Sequence, residues 1–447
     1  MNTIKIRKGL DIKLKGRAKP TSQTIEAERY AIMPDDFIGL LPRLLVKEGD
    51  KVKVGTPLLC DKHNEKIVIT SPASGEVSEI RRGEKRHLQA VVIKSDNAFE
   101  SDIFSTNDDK DNIINTLTTS GLWAMLRQRP YSVIANPNDK PKAIFISTYD
   151  TSPLAPDMDY IVDSQKEAFQ KGLDILNILS GKKVHLCNHT NNTSKAFTEA
   201  KNVNLHTFEG PHPAGNVGTH INKIMPINKG DIIWYCYPNE VINIGKLFLS
   251  GKADFSRTYA VAGSCINNPH YVKTHIGASL NDIIGNETNH DNVRIISGNV
   301  LTGHIESADG FMHFYDNMVT AIPEGNDRHE MLGWLAPGIG KFSFSHTFLS
   351  GFIPNEVKRE YDFDTNMHGE ERAYVITGEF EKVFPFDIYP LQLIKACLAE
   401  DIDLMENLGI LEVDPEDFAL CEFIDTSKTD IQNIIRKGIE LVRKENE

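Results

Sequence analysis

Short cysteine spacings are missing from this 447-residue chain. Its six cysteines, Cys60, Cys187, Cys236, Cys265, Cys397 and Cys421, lie far apart and form no CxxC pair. Iron–sulfur clusters and structural zinc sites draw their ligands from such spacings, so neither is expected. The amino terminus, MNTIKIRKGLDIKLKG, lacks the continuous apolar stretch that a secretory signal carries after its basic start. Without that signal, buried free thiols are expected in place of disulfides. A membrane-spanning helix needs about 18 or more consecutive apolar residues. The best candidates, around 334–352 and 385–399, are interrupted by lysines, acids, serines or prolines. A soluble, cytoplasmic chain is the expectation.

The common phosphate and nucleophile signatures are also missing. No GxGxxG follows a strand; the nearest string, GPHPAGNVG at 210–218, has prolines that oppose a helix start. GxxxxGK[ST], HExxH, GxSxG and kinase-type signatures do not occur, so tight NAD or ATP binding has no support. The formal net charge of −13 repels nucleic acid and anionic lipid on average, and no cluster of five or more lysines or arginines offsets it. The paired carboxylates Asp35-Asp36 and Glu370-Glu371 read as solvated. No catalytic residue, metal ligand set or tightly bound cofactor emerges.

What is present is the rhythm of several domains. Residues 33–100 read as a carrier-like barrel of the biotinyl or lipoyl type. Gly49-Asp50 and Gly55-Thr56 turn the chain, Val52, Val54, Leu58 and Leu59 fill strands, and Ser71-Pro72-Ala73-Ser74-Gly75 makes a second corner. A true carrier presents a lysine flanked by methionines at its exposed hairpin. Here the place holds His63-Asn64-Glu65-Lys66, so an ordinary solvated hairpin and a docking module are expected.

A polar, acidic linker, ESDIFSTNDDKDN, then leads to a Rossmann-like α/β domain over 101–253. Ala143 to Ser147 reads as a buried strand. Ser164 with Glu167 suggests a capping box for a helix carrying Phe169, Leu173, Leu176 and Leu179, stopped by Gly181, and 183–187 is the next strand. Strand, helix and strand in this order form a right-handed βαβ unit. The alternating residues at the amino terminus, Ile4 and Ile6, then Leu10, Ile12 and Leu14, predict a strand pair joined to this domain. Two strands and a short helix between 255 and 298 suit a β-grasp domain over 254–330, and 331–447 reads as mainly helical. Pro390 starts one helix there. Ser427 with Asp430 caps a last helix bearing Ile431, Ile434, Ile435, Ile439 and Val442.

Two strings carry candidate chemistry. His185-Leu186-Cys187-Asn188-His189 places two imidazoles and a thiol on one strand face, but same-face neighbours diverge by about 7 Å and rarely converge on one ion. The string GLWAMLRQRPY at 121–131 combines two arginines with two aromatics. Trp123, Arg127, Arg129 and Tyr131 could hold a planar ligand, by stacking and by guanidinium donors to a carbonyl oxygen. Equally, they could anchor the sheet or meet another subunit.

Longer blocks carry a family resemblance. SPASGEVSEIRRGEKRHLQAVVI, GLWAMLRQRPYSVIANP, KAIFISTYDTSPLAPD, GPHPAGNVGTHI, VINIGKLFLSG, RIISGNVLTG and GWLAPGIGKFSFS, in this order, resemble the A subunits of the sodium-translocating NADH:quinone oxidoreductase. The likeness covers nearly the whole chain, and the carboxyl end matches only loosely. It implies the barrel, Rossmann-like, soluble-ligand-binding β-grasp and helical order given above. It also implies a peripheral subunit on the cytoplasmic face of the bacterial inner membrane, held there by other subunits, with no flavin or iron–sulfur centre of its own. A related class, the flavin-bearing NADH-oxidising subunit of complex I, supplies the alternative of an electron-entry subunit. Quinone is the ligand implied, with 121–131 as its place, and Trp334, Phe342, Phe344 and Phe348 are the expected interface with membrane subunits.

Overall fold

The computed structural model describes residues 3–285, 287–327, 338, 341–346, 348–353 and 360–446. It is a multidomain α/β and β protein, with four sheets among the described residues. The two smallest form the amino-terminal barrel-sandwich. One runs Arg29–Ile32, Leu88–Ser95, Gly75–Arg82, Lys51–Val52, and the other Pro42–Leu44, Pro57–Asp61, Val68–Thr70. Val52, Leu58, Ile69, Val77 and Ile93 on these strands are buried, and in Pro57–Asp61 and Leu88–Ser95 consecutive residues are buried on both faces. The hairpin at 63–66 is closed by Ile67 N donating to Asn64 O and by an Arg43–Glu65 ion pair of 2.6 Å, and Lys66 is exposed. The second corner is buried. Thr70 Oγ1 donates to Ser120 O at 2.9 Å, and Gly121, at φ +78°, sits so close that a Cβ there would lie 2.2 Å from that hydroxyl.

The largest sheet runs Thr3–Lys5, Asn204–Glu209, His185–His189, Ala143–Ser147, Ile233–Cys236, Arg127–Arg129, Val133–Ile134. Its first five strands are parallel, and Arg127–Arg129 is antiparallel to Ile233–Cys236. From Ala143–Ser147 the chain adds strands on one side, then returns to place Ile233–Cys236 on the other. Strand order therefore reverses between these two, and a crevice opens outside their carboxyl ends. Helices Lys166–Ser180 and Pro238–Ser250 cross at two glycines: a Cβ on Gly245 would lie 1.8 Å from Ala168 O, and one on Gly172 2.1 Å from Val241 O.

The predicted apolar stripe of Lys166–Ser180 is buried, and Gly181 ends the helix at φ +69°. Its capping box does not form. Ser164 closes the preceding helix, Met158–Asp163, and Gln165 takes the cap position without a side-chain bond. The amino-terminal strand pair does not form either. Thr3–Lys5 joins the large sheet beside Asn204–Glu209, Leu14 makes one bridge to Tyr361, and Ser22–Thr24 joins another sheet beside His270–His275. Part of the alternation is satisfied all the same: Ile6 is buried in the core beside the large sheet and Ile12 and Leu14 in the main core, while Ile4 and Leu10 are half-buried.

The six-stranded sheet runs His304–Glu306, Val293–Ser297, Met318–Pro323, Ser256–Ala262, His270–His275, Ser22–Thr24, with helix Leu280–Ile284 following the central hairpin. Helices Pro390–Leu398, Ile402–Asn407, Ala419–Ile424 and Ile431–Asn446 form the carboxyl-terminal part. Ile431, Ile435, Ile439 and Val442 are buried along one face of the last helix. Ser427 Oγ donates to Ala373 O at 3.1 Å and so does not cap it. All six cysteines are buried and none is paired in a disulfide among the described residues, and no described helix is long and apolar enough to cross a membrane.

Candidate functional site

The crevice at the strand-order reversal opens into a cavity of about 990 Å³. Tyr149 and Asp150, just beyond strand Ala143–Ser147, and Tyr237, just beyond Ile233–Cys236, line it. Its other walls are the loop at 34–40 on the barrel side, Tyr315 and its neighbours from the six-stranded unit, and Glu416 and Arg436 from the helical end.

Arg127 lies directly across from Tyr235 in the antiparallel pair, and Tyr237 follows two residues on, so period-two alternation brings both rings to the arginine's face. Its guanidinium carbon stands 4.7 Å from the Tyr235 ring centre, 5.4 Å from Tyr237 and 4.4 Å from Tyr315. Among the described residues its N–H groups make no hydrogen bond or ion pair. Burial opposes its charge, yet the tyrosine rings and Glu416 hold its pKa above the ordinary value. The result is a partly buried cation with stacked faces and free donors at the edge of the cavity. Burial pushes the phenols of Tyr237 and Tyr315 upward, so they stay neutral.

The structure distributes the rest of the 121–131 segment around this point. Arg129 shares the face of Arg127 but is 1% exposed, sealed by Glu416 at 2.8 Å, Asp417 at 3.5 Å and Asp414 at 3.9 Å. Burial raises the pKa of Glu416 and Asp417. Gln128 faces the other way and accepts Trp234 Nε1 at 3.3 Å, and Trp234 meets Trp123 edge to face at 5.5 Å. Trp123 is fully buried there, with Nε1 donating to Ala135 O. Tyr131 turns to the last helix, its carbonyl accepting from Arg436 Nη1 at 3.2 Å. Of the four predicted residues, Arg127 alone lines the cavity.

Asp36, read from sequence as solvated, has a side chain only 3% exposed. It accepts from His313 Nδ1 and, at 2.8 Å, from Phe314 N. His313 Nε2 bonds Glu306 at 3.0 Å, and its ring stacks on His304 at 3.9 Å. Burial alone would lower the imidazole pKa, but the bonds to Asp36 and Glu306 raise it to about 10. This cluster ties the barrel-side loop to the segment carrying Tyr315. The sequence reading missed it, as it missed Tyr235, Tyr237 and Tyr315. Only WYCYP at 234–238 carried a readable signal, two tyrosines at strand spacing before a helix-starting proline.

Elsewhere, His185 stacks on His206 with Nδ1 and Nε2 3.1 Å apart, Cys187 is buried and His189 sits by Tyr149. Among the described residues no group of three or more His, Cys, Asp or Glu is placed to hold a metal. Phe342 belongs to a half-buried ring cluster with Tyr361, Phe363 and Phe423. Phe344 and Phe348 are half-buried, and Trp334 lies outside the described residues.

Three family models match the chain in order: the NqrA N-terminal barrel-sandwich hybrid domain at residues 4–96, the NqrA second alpha/beta domain at 108–253, and the NQRA C-terminal domain at 258–307. Full-length relatives match as well. The A subunit of the Na(+)-translocating NADH-quinone reductase of Yersinia pseudotuberculosis is 38% identical over 450 residues, 99% of this chain and 100% of that protein. The chain belongs to this NqrA family. The corresponding subunits of Vibrio atlanticus, over 454 residues, and of Neisseria meningitidis serogroup B, over 450, are each 37% identical, covering 99% of this chain and 100% of theirs. Among solved structures, an NAD+-reducing [NiFe]-hydrogenase in the air-oxidized state overlaps with a TM-score of 0.37 at 10% identity, over 76% of this chain and 62% of that one. That likeness is too slight to bear on function. In this member of the NqrA family, the blocks GLWAMLRQRPY and IIWYCYP supply Arg127, Tyr235 and Tyr237 of the arginine cage described above, and Tyr315 completes it.

Proposed function

We propose that the chain is a peripheral, cytoplasmic-side docking and assembly subunit of a sodium-translocating NADH-quinone reductase, and that the Arg127 end of its cavity receives a quinone headgroup. In this reading the units at 33–100 (carrier-like barrel), 101–253 (Rossmann-like), 254–330 (β-grasp) and 331–447 (helical) are docking modules around that cavity. The chain has no flavin or iron–sulfur centre of its own and meets the membrane through partner subunits. Leu349 and Phe352, 55% and 73% exposed beside Phe344 and Phe348, are the side chains offered to a membrane partner.

The observation that carries the quinone reading is Arg127, held among three tyrosines with its N–H groups unspent at a cavity wall. A quinone carbonyl accepts such a donor, and the rings of Tyr237 and Tyr315 supply flat walls. Asp150, Asp316 and Glu416 also line the cavity and make it unsuited to an isoprenoid tail, which would lie along the surface. The test is equilibrium binding of a water-soluble quinone to the folded protein. Saturable one-to-one binding, weakened about tenfold or more in Arg127→Ala, is expected. Absence of binding to the wild-type chain would leave it a scaffold.

One observation favours a second reading. The cavity lies where open α/β sheets bind nucleotides, which fits an electron-entry subunit holding flavin and NADH. Flavin absorbance in the purified chain would establish that reading, and a colourless protein would remove it.

A further inference from the structure

We infer that Glu240 and Arg257 are positioning residues for the Arg127 site, an inference that rests on reading that site as a quinone pocket. Neither lines the cavity. Arg257 Nη2 donates to Glu240 Oε1 at 2.8 Å, and the two side chains are 0% and 1% exposed. Two ions taken out of water cost more than their attraction returns unless further hydrogen bonds satisfy them, so where those bonds go is informative. Glu240 Oε2 accepts Tyr237 N at 3.0 Å. Arg257 Nη1 donates to Phe314 O at 2.9 Å and to Asp316 O at 3.1 Å, the carbonyls on either side of Tyr315. One buried ion pair thus grips the backbone of two cage rings from behind. The Tyr315 hydroxyl, donating to Ala124 O at 2.7 Å, fixes the far end of its ring.

Glu240 is on helix Pro238–Ser250 of the α/β unit, and Arg257 is on strand Ser256–Ala262 of the six-stranded unit. The cage is complete only while those units are docked. Ligand binding and docking are therefore coupled through this pair, although neither residue touches the ligand.

Glu240→Gln leaves one side-chain oxygen for two donors, so either Arg257 or Tyr237 N loses its acceptor. Arg257→Lys removes the fork that reaches Glu240 and both carbonyls. Two readouts are paired in the full chain. The first is the Nε–H resonance of Arg127 in arginine-labelled protein, assigned by its loss in Arg127→Lys; three rings shield it, and both variants should shift it toward the position of exposed arginines while backbone spectra and near-ultraviolet circular dichroism stay native. The second is affinity for a water-soluble quinone, expected to fall about tenfold. Unchanged shielding and affinity in folded variants would overturn the inference. Lost shielding in a protein whose wild type binds no quinone would uphold the positioning role while the quinone reading fails. If both variants misfold, Glu240→Asp, which keeps the charge but shortens the reach, replaces them; retained shielding there overturns the inference and lost shielding supports it.

Discussion

Arg129 Nη2 stands 2.8 Å from Glu416 Oε1, although 287 residues separate the two in the chain. This contact and its neighbours, Asp414 and Asp417, pin the helical end of the molecule to the edge of the large sheet. Arg129→Ala strands these acids in a buried place, and removing one partner of such a network costs about 3–5 kcal/mol. Denaturant unfolding followed by the buried Trp123 and Trp234 measures this, and a loss near zero would show that the network contributes nothing.

Arg127 behaves in the opposite way. Its donors bind nothing within the described residues, so Arg127→Lys should change stability by less than about 1 kcal/mol while weakening a quinone several-fold, because an ammonium lacks the planar faces that three rings clasp. Parallel melting and binding titrations separate the two effects. Equal losses in both would mean that the cage serves stability alone.

His313 makes stability depend on pH. Its pKa is raised from an unfolded value of about 6.5 to about 10 in the folded chain. A raised cationic group stabilises fully below the unfolded value, and that contribution is lost as pH climbs through the folded one. Stability should therefore fall between about pH 6.5 and 10 in the wild type, and fall less steeply in His313→Gln, which cannot be charged. Melting curves across that range check the prediction, and parallel slopes would refute it.

Gly245→Ala should separate helices Lys166–Ser180 and Pro238–Ser250, since the new methyl would lie 1.8 Å from Ala168 O. Main-chain overlap of this kind costs about 1–3 kcal/mol or more. Gly181→Ala is the contrast: nothing lies within 4 Å of its Cβ position, so only the left-handed φ of +69° opposes it. Thermal melts of the two variants should differ, with Gly245→Ala the less stable.

The strand Ala143–Ser147, the buried stripe of Lys166–Ser180 and the apolar face of Ile431–Asn446 were legible because each is a local pattern, a short continuous apolar run in the first and a helical period in the other two. Helix starts were less so. Ser164 and Ser427 have the right type and spacing for caps, but one closes an earlier helix and the other bonds Ala373 O, and nothing local distinguishes these uses. Asp36 shows the same limit: two adjacent acids read as solvated until His313, 277 residues away, folds over one of them.

The sequence by itself determined the family, the order of α/β and β parts, the burial of the cysteines and the presence of two arginines at strand spacing in 121–131. Tertiary structure alone decided that those arginines have different fates, Arg127 open to the cavity and Arg129 sealed by Glu416. It also turned Trp123 away and brought Tyr315 in from another unit. The reason is physical. Periodicity fixes which side of a strand a residue takes, but what waits on that side is set by chain segments hundreds of residues distant, whose approach depends on the packing of whole sheets.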